Sequence, residues 1–203
     1  MKIQLALDVG KKKALQICKK ISKYVDIIEL GTPLIKQEGL KIIKEFKKFR
    51  KPILADLKTM DVGFLEAEMA FKAGADITTV CGSADLPTIQ GAIKAGKKYN
   101  KKVLVDLIGM KINKKTKQIK KLNPDYICVH TSIDTQKKGK TPLKNLKKIS
   151  KIISNMKIAV AGGINLKNIN SIIKYKPEII IIGGAITKSK EPEEIIKKLK
   201  EKI

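Results

Sequence analysis

The stretch Pro52-Ile53-Leu54-Ala55-Asp56-Leu57-Lys58-Thr59-Met60-Asp61 carries the reading of this chain. Pro52 to Ala55 is a short apolar run of the kind that forms a buried strand. An acid ends it, a lysine comes two residues later, and a second acid three residues after that. Side chains alternate along an extended chain, so Asp56 and Lys58 fall on one face. Asp61 lies beyond the strand, where the chain turns toward a helix. A carboxylate beside an ammonium at a strand end can hold a metal ion or a hydroxyl and can stabilise developing negative charge. Taken alone, D-x-K-x-x-D equally suits a surface acid and lysine at a loop start in so charged a chain. The surrounding sequence decides between the two.

Outward from this stretch, short β-branched runs alternate with lysine-rich segments of helical periodicity. The expected strands are Ile3–Val9, Asp26–Leu30, Ile53–Leu57, Asp76–Cys81, Lys102–Leu107, Tyr126–His130, Lys157–Ala161 and Glu178–Ile182. Between them, apolar stripes recur at i, i+3, i+4 spacing: Ala14, Cys18, Ile21 and Val25; Leu40, Ile43, Phe46 and Phe49; Leu146, Ile149, Ile152 and Ile153; Ile195, Ile196 and Leu199. Strands apolar on both faces and separated by helices indicate a parallel sheet covered by helices. Eight such units predict a single (β/α)8 TIM barrel spanning residues 1–203, in a chain short for that fold, which typically takes about 250 residues. An open doubly wound sheet would carry a glycine-rich fingerprint after its first strand, and Leu7-Asp8-Val9-Gly10 lacks one. Paired glycines come instead after the seventh and eighth strands, at Gly162-Gly163 and at Gly183-Gly184 followed by Ala185. Barrels commonly bind phosphate there through backbone N–H groups. The lysine-dense stretch Lys111–Lys121 is expected to be a short helix or an exposed loop.

Bulk composition narrows the function. No apolar run approaches the ~20 residues of a membrane span, and Met1-Lys2-Ile3-Gln4 leads straight into a strand without a signal peptide. Cys18, Cys81 and Cys128 are odd in number, widely spaced and without metal-knuckle spacing, which fits reduced thiols in a cytoplasmic protein. The net charge of +25 rests almost wholly on lysine, Arg50 being the sole arginine. These lysines read first as solvated helix faces and second as a field attracting anionic small substrates. A nucleic-acid surface comes third, because aromatics make up 4% of the chain with no tryptophan and offer no stacking platform.

In a barrel the C-terminal strand ends converge on one mouth. Read together they supply Asp8, Glu29, Asp56 with Lys58 and Asp61, Asp106 and His130, with the glycine pairs completing the ring. Glu29 and Asp56 form a natural pair for Mg²⁺, which binds through one or two carboxylates plus water and substrate oxygens. Glu29 also suits a helix cap or a surface position, and Asp8 could cap the next helix through Gly10. His130, the sole histidine, ends an apolar run and suits proton transfer near neutral pH.

Leu5-Ala6-Leu7-Asp8, Glu29-Leu30-Gly31-Thr32-Pro33-Leu34 and Ala55-Asp56-Leu57-Lys58-Thr59-Met60-Asp61 resemble the orotidine 5'-phosphate decarboxylase suprafamily. Val105-Asp106-Leu107-Ile108-Gly109, His130-Thr131-Ser132-Ile133-Asp134-Thr135-Gln136, Ala161-Gly162-Gly163-Ile164 and Gly183-Gly184-Ala185-Ile186-Thr187 are similar to its 3-hexulose-6-phosphate synthases. The resemblance runs nearly end to end. It implies a Mg²⁺-dependent (or Mn²⁺-dependent) aldol reaction joining D-ribulose 5-phosphate to formaldehyde through a 1,2-enediolate, and its reverse. It further implies that Glu29 and Asp56 hold the metal, Lys58 stabilises the enediolate, His130 moves the proton and Asp8 positions a hydroxyl. Gly162, Gly163, Gly183, Gly184 and Ala185 would grip phosphate, with Asp106 and Thr32 as further substrate contacts. Asp61 would reach the neighbouring subunit's site, making a homodimer a requirement for catalysis.

The rival in the same suprafamily is 3-keto-L-gulonate-6-phosphate decarboxylase. Its pattern has glutamate where this chain has Asp106, and arginines at the positions of Ile133 and Gly184. Orotidine phosphate decarboxylation fits Glu29 and His130 poorly. Ser132 and Val62 depart from the synthase pattern, where glycine or alanine is common.

Overall fold

The computed structural model describes residues 1–112, 114–153 and 155–203. Eight parallel strands close into a barrel: β1 Lys2–Leu7, β2 Ile27–Leu30, β3 Ile53–Thr59, β4 Ile77–Cys81, β5 Lys102–Asp106, β6 Tyr126–His130, β7 Ile158–Ala161 and β8 Ile179–Ile182. Each pairs with its sequence neighbour, and β8 returns to β1 in the register Lys2 to Ile179. Closure removes both sheet edges, so every interior strand amide can find a partner. The chain achieves this at 203 residues by keeping several helices to a turn or two, as in Ile42–Phe46 and Ile169–Ile173.

Period-two alternation sorts the apolar residues into two cores. Ile3, Leu5, Leu7, Ile28, Leu30, Ile180 and Ile182 face outward, packing with the helices. Ala6, Ile27, Leu54, Ile77, Leu104, Tyr126, Cys128 and Ile181 fill the barrel interior. The helical stripes dock on the outward core: Ala14, Cys18, Ile21, Ile43, Phe46, Leu146, Ile149, Ile196 and Leu199 are buried. Lys114–Lys121 is a helix that buries Thr116 and Ile119, while Asn113 lies outside the described residues. The cysteines are free and buried. Among the described residues no helix is long and apolar enough to cross a membrane.

The strand boundaries differ from the sequence expectation in an instructive way. Asp26 and Asp76 stand one residue before β2 and β4, as Asp125 stands before β6. Each carboxylate accepts a hydrogen bond from the amide of the preceding odd-numbered strand: Ile3 N to Asp26 Oδ2 at 2.8 Å, Ile53 N to Asp76 Oδ2 at 2.9 Å, and Val103 N to Asp125 Oδ2 at 2.9 Å. These acids tie off free amides at the N-terminal end of the barrel, opposite the candidate site. Asp76 also binds Lys47 at 2.6 Å and Lys101 at 2.7 Å. Burial works against its charge, but the bonds from Lys101, Lys47 and Ile53 outweigh that and hold the carboxyl below its usual range.

Asp76→Ala leaves the Ile53 amide without its acceptor and is expected to cost about 1–3 kcal/mol, read as a lower urea midpoint at neutral pH. The folded carboxyl is depressed, so this stability is present above the unfolded value of ~4 and is lost as pH falls through the folded one. The gap between the two proteins should therefore shrink in acid. An equal midpoint at neutral pH would contradict the assignment.

Candidate active site

The inward rows of side chains turn from apolar to ionisable as each strand approaches its C-terminal end. β1 runs Gln4, Ala6, then Asp8; β2 runs Ile27, Glu29; β3 runs Leu54, Asp56; β5 runs Leu104, Asp106; β6 runs Cys128, His130. All but Ile27 and Leu54 line one cavity of about 540 Å³, which the loops after β7 and β8 line as well.

Asp56 is 2% exposed and held by three donors. Thr79 Oγ1 bonds its Oδ1 at 2.7 Å, and Thr32 Oγ1 (3.0 Å) and the Lys58 ammonium share its Oδ2. Lys58 does not continue the strand alternation expected of it. The β3–β4 register shifts between Ala55 and Thr59, and Lys58 adopts a left-handed φ of 49°. That bulge is pinned on both sides: Lys58 N donates to Thr79 Oγ1 at 2.9 Å, and the Cys81 thiol donates to Lys58 O at 3.3 Å. The ammonium thus folds back onto Asp56 and stands 3.8 Å from Asp106 Oδ2. Burial opposes its charge, yet Asp56, Asp106 and Glu29 prevail and raise it above the ordinary lysine range.

Asp106 and His130 form a pair the sequence reading did not anticipate. His130 Nδ1 lies 2.8 Å from Asp106 Oδ2, and Asp106 Oδ1 accepts from Ile108 N at 2.9 Å. With a carboxylate acceptor, Nδ1 carries the proton and Nε2 is left as the basic nitrogen. Strand register brings them together: β5 and β6 pair Asp106 with Cys128, which sets His130 one inward step further on.

Glu29 is buried and accepts Gln4 Nε2 on Oε2 at 2.6 Å. Burial and the nearby Asp56 and Asp8 push its carboxyl well above the usual range, against Gln4 and Lys58. Asp8 is raised too, by burial and Asp56 against Lys58 and His130. Its carboxyl fits only because residue 31 is glycine: a β-carbon there would stand 2.1 Å from Asp8 Oδ1. Asp8 makes no cap bond to the following helix, whose N-cap is Gly10 without a side-chain partner.

These carboxyls suit a divalent cation. Glu29 and Asp56 offer hard oxygens, their mutual repulsion is a debt that positive charge relieves, and Gln4 Oε1 is a buried acceptor with no donor among the described residues. Among those residues no group of three or more His, Cys, Asp or Glu could cage an ion. Mg²⁺ keeps several waters and takes one or two carboxylates, so Glu29 and Asp56 are the residues that would hold it.

Gly162 and Gly163 take φ of +107° and +69°, and a β-carbon on Gly162 would lie 2.3 Å from Thr131 O. Together with Gly183, Gly184 and Ala185 they line the cavity. Lys13 and Lys188 line it as well, and neither has a carboxylate partner among the described residues. Sequence reading passed over both because lysines are everywhere in this chain. Thr32 is occupied by Asp56 O at 2.7 Å and Asp56 Oδ2, and is absent from the cavity lining, so its geometry is that of a support for Asp56 and not of a substrate contact.

Asp61 lies outside its own cavity, exposed, accepting Val62 N at 2.7 Å. Around it Met60, Val62, Leu65 and Met69 are about half exposed. Val62 has φ 46°, a left-handed conformation that disfavours β-branched residues and explains why glycine suits the position. Ser132 caps the short helix Ile133–Gln136 through Thr135 N at 3.3 Å, and Ile133 stands exposed at the cavity rim.

The sequence profile of the Orotidine 5'-phosphate decarboxylase / HUMPS family matches residues 1–199. The chain is 44% identical to the 3-hexulose-6-phosphate synthase of Bacillus subtilis (strain 168) over 207 aligned residues, covering 100% of this chain and 99% of the relative. The crystal structure of 3-hexulose-6-phosphate synthase from Salmonella typhimurium superposes with a TM-score of 0.95 at 37% identity, over 99% of this chain and 97% of that one. The 3-keto-L-gulonate-6-phosphate decarboxylase of Vibrio cholerae O1 biovar El Tor str. N16961 gives 0.86 at 27% identity, over 99% and 96%. The chain belongs to the orotidine 5'-phosphate decarboxylase / HUMPS family.

Lys58→Met strands buried Asp56 and Asp106 without their cation. Breaking such a pair is expected to cost about 3 kcal/mol at pH 7, read by urea denaturation. A neutral effect at pH 7 would show that the pair contributes nothing to the fold.

Proposed function

We propose that this member of the family is a 3-hexulose-6-phosphate synthase, condensing D-ribulose 5-phosphate with formaldehyde in a Mg²⁺-dependent aldol reaction that also runs in reverse. The observation that carries the reading is the His130–Asp106 pair beside Lys58, a base and a fixed positive charge at one mouth. The 44% identity to a named synthase supports it, and so does aspartate at position 106, where the decarboxylase pattern has glutamate.

The chemistry follows from what each group can do. Asp106 holds the His130 ring so that Nε2 faces the cavity as a base, able to take the C1 proton of the ribulose phosphate. Loss of that proton leaves an enediolate, whose negative charge the Lys58 ammonium offsets. Lys58 is suited to this because its carboxylate neighbours keep it protonated and the bulge fixes its position. Asp8 reaches into the cavity, where it can bond a substrate hydroxyl. The open glycine loops, with Lys13 and Lys188, offer N–H groups and ammoniums to the phosphate, which holds the reacting carbon in register. Mg²⁺ on Glu29 and Asp56 would supply Lewis-acid stabilisation of the same negative charge. Attack on formaldehyde forms the carbon–carbon bond and leaves an alkoxide on the former formaldehyde oxygen, to which protonated His130 returns the proton.

Asp61 and the apolar strip around it support a homodimer in which Asp61 completes the partner's site. Leu65 and Met69 share one face of the helix Gly63–Lys72, Val62 stands at its start, and an exposed apolar face of this kind marks an association surface.

Ribulose 5-phosphate and formaldehyde should react only with Mg²⁺ or Mn²⁺ present, with loss in EDTA and on His130→Gln or Lys58→Ala. Carbon dioxide release from 3-keto-gulonate phosphate without formaldehyde chemistry would make it a decarboxylase. For the shared site, Asp61→Ala and Lys58→Ala proteins should each be inactive alone. Unfolded and refolded together, they should recover about a quarter of normal activity, because each mixed dimer regains one intact site. No recovery would place Asp61 elsewhere.

A further inference from the structure

Below the ring of carboxylates the barrel interior is apolar, built from Ile27, Leu54, Ile77, Leu104 and Ile181. Gln4 is set among them. It pairs in register with Ile27 of β2 and Ile181 of β8, is wholly shielded from solvent, and lines the cavity. Its Nε2 donates to Glu29 Oε2 at 2.6 Å, while Oε1 has no partner among the described residues. The bond to Glu29 takes the nitrogen of the amide and leaves its oxygen as the free atom. A buried carbonyl oxygen without a donor is destabilising, and leucine or methionine would fill the same place without one. Packing therefore does not account for glutamine here.

We propose that Gln4 is a positioning residue for the cation site: its N–H fixes one oxygen of Glu29, and its free Oε1 accepts a hydrogen bond from a water belonging to the bound cation. The proposal rests on the reading of Glu29 and Asp56 as Mg²⁺ ligands. It accounts for both ends of the amide at once. Mg²⁺ retains several waters, each a donor in need of an acceptor, and the one free buried acceptor among the described side chains lies beside Glu29. Asp56 is fixed in the same manner by Thr79 and Thr32, so both candidate ligands are oriented from behind by neutral side chains.

The test uses Mn²⁺ as the probe and the full chain without sugar phosphate, with free Mn²⁺ counted by electron paramagnetic resonance. Gln4→Leu and Gln4→Met remove both amide functions while keeping an apolar side chain of similar size. Each is expected to weaken Mn²⁺ binding about 10- to 100-fold while keeping the circular dichroism and urea transition of a folded barrel. A folded variant that binds Mn²⁺ as tightly as the unaltered chain overturns the role of Gln4 and leaves the cation site standing. An unaltered chain that binds no Mn²⁺ overturns the cation site and the proposal together. Loss of folding in both variants also counts against it, since packing would then explain the residue.

Discussion

The ion pair between Asp56 and Lys58 is the contact on which the mouth of this barrel depends. The cavity gathers Asp8, Glu29, Asp56 and Asp106 into one low-dielectric space around Lys58. Repulsion among carboxylates there is strong, and it appears in Glu29 and Asp8, both raised by burial and by Asp56. Lys58 sits between Asp56 and Asp106 and offsets both. It reaches that place only through a left-handed turn inside β3, held by Thr79 and Cys81. The backbone strain is retained because the side chain it aims is worth more at that position than a regular strand.

The two ends of the barrel use the same residue types for opposite purposes. Asp26, Asp76 and Asp125 cap free strand amides at the N-terminal end. Asp8, Asp56 and Asp106 at the C-terminal end face a cavity and one another. The first set is neutralised by N–H donors and, for Asp76, by two surface lysines. The second set has fewer donors than acceptors. That imbalance separates a structural acid from a reactive one more cleanly than residue identity does.

The large positive charge finds a modest place in this scheme. Helices such as Lys114–Lys121 turn most of their lysines to solvent and bury a thin stripe. Two lysines, Lys13 and Lys188, leave that pattern and stand at the cavity with no carboxylate partner among the described residues. A background of +25 draws anions to the surface, and these two present ammoniums where the glycine loops open. The exposed strip of Met60, Val62, Leu65 and Met69 is the other break in the lysine coat, and it begins beside Asp61.

The sequence by itself determined the barrel, the approximate strands and the gathering of Asp8, Glu29, Asp56, Lys58, Asp106 and His130 at one mouth. It could do so because these follow from local facts: period-two burial, apolar stripes on helices, and polar residues one step past each apolar run. Tertiary structure alone decided who touches whom. Gln4 with Glu29, Asp56 with Thr79 and Asp106 with His130 are 25, 23 and 24 residues apart in sequence. Each pair spans neighbouring strands, and its partners meet only when the barrel closes in one register. The Lys58 bulge was hidden for the same reason, since the contacts that pin it come from β4. Asp61 marks the other limit: it stands exposed and outside the cavity lining, and the strand-end reading alone could not place it there.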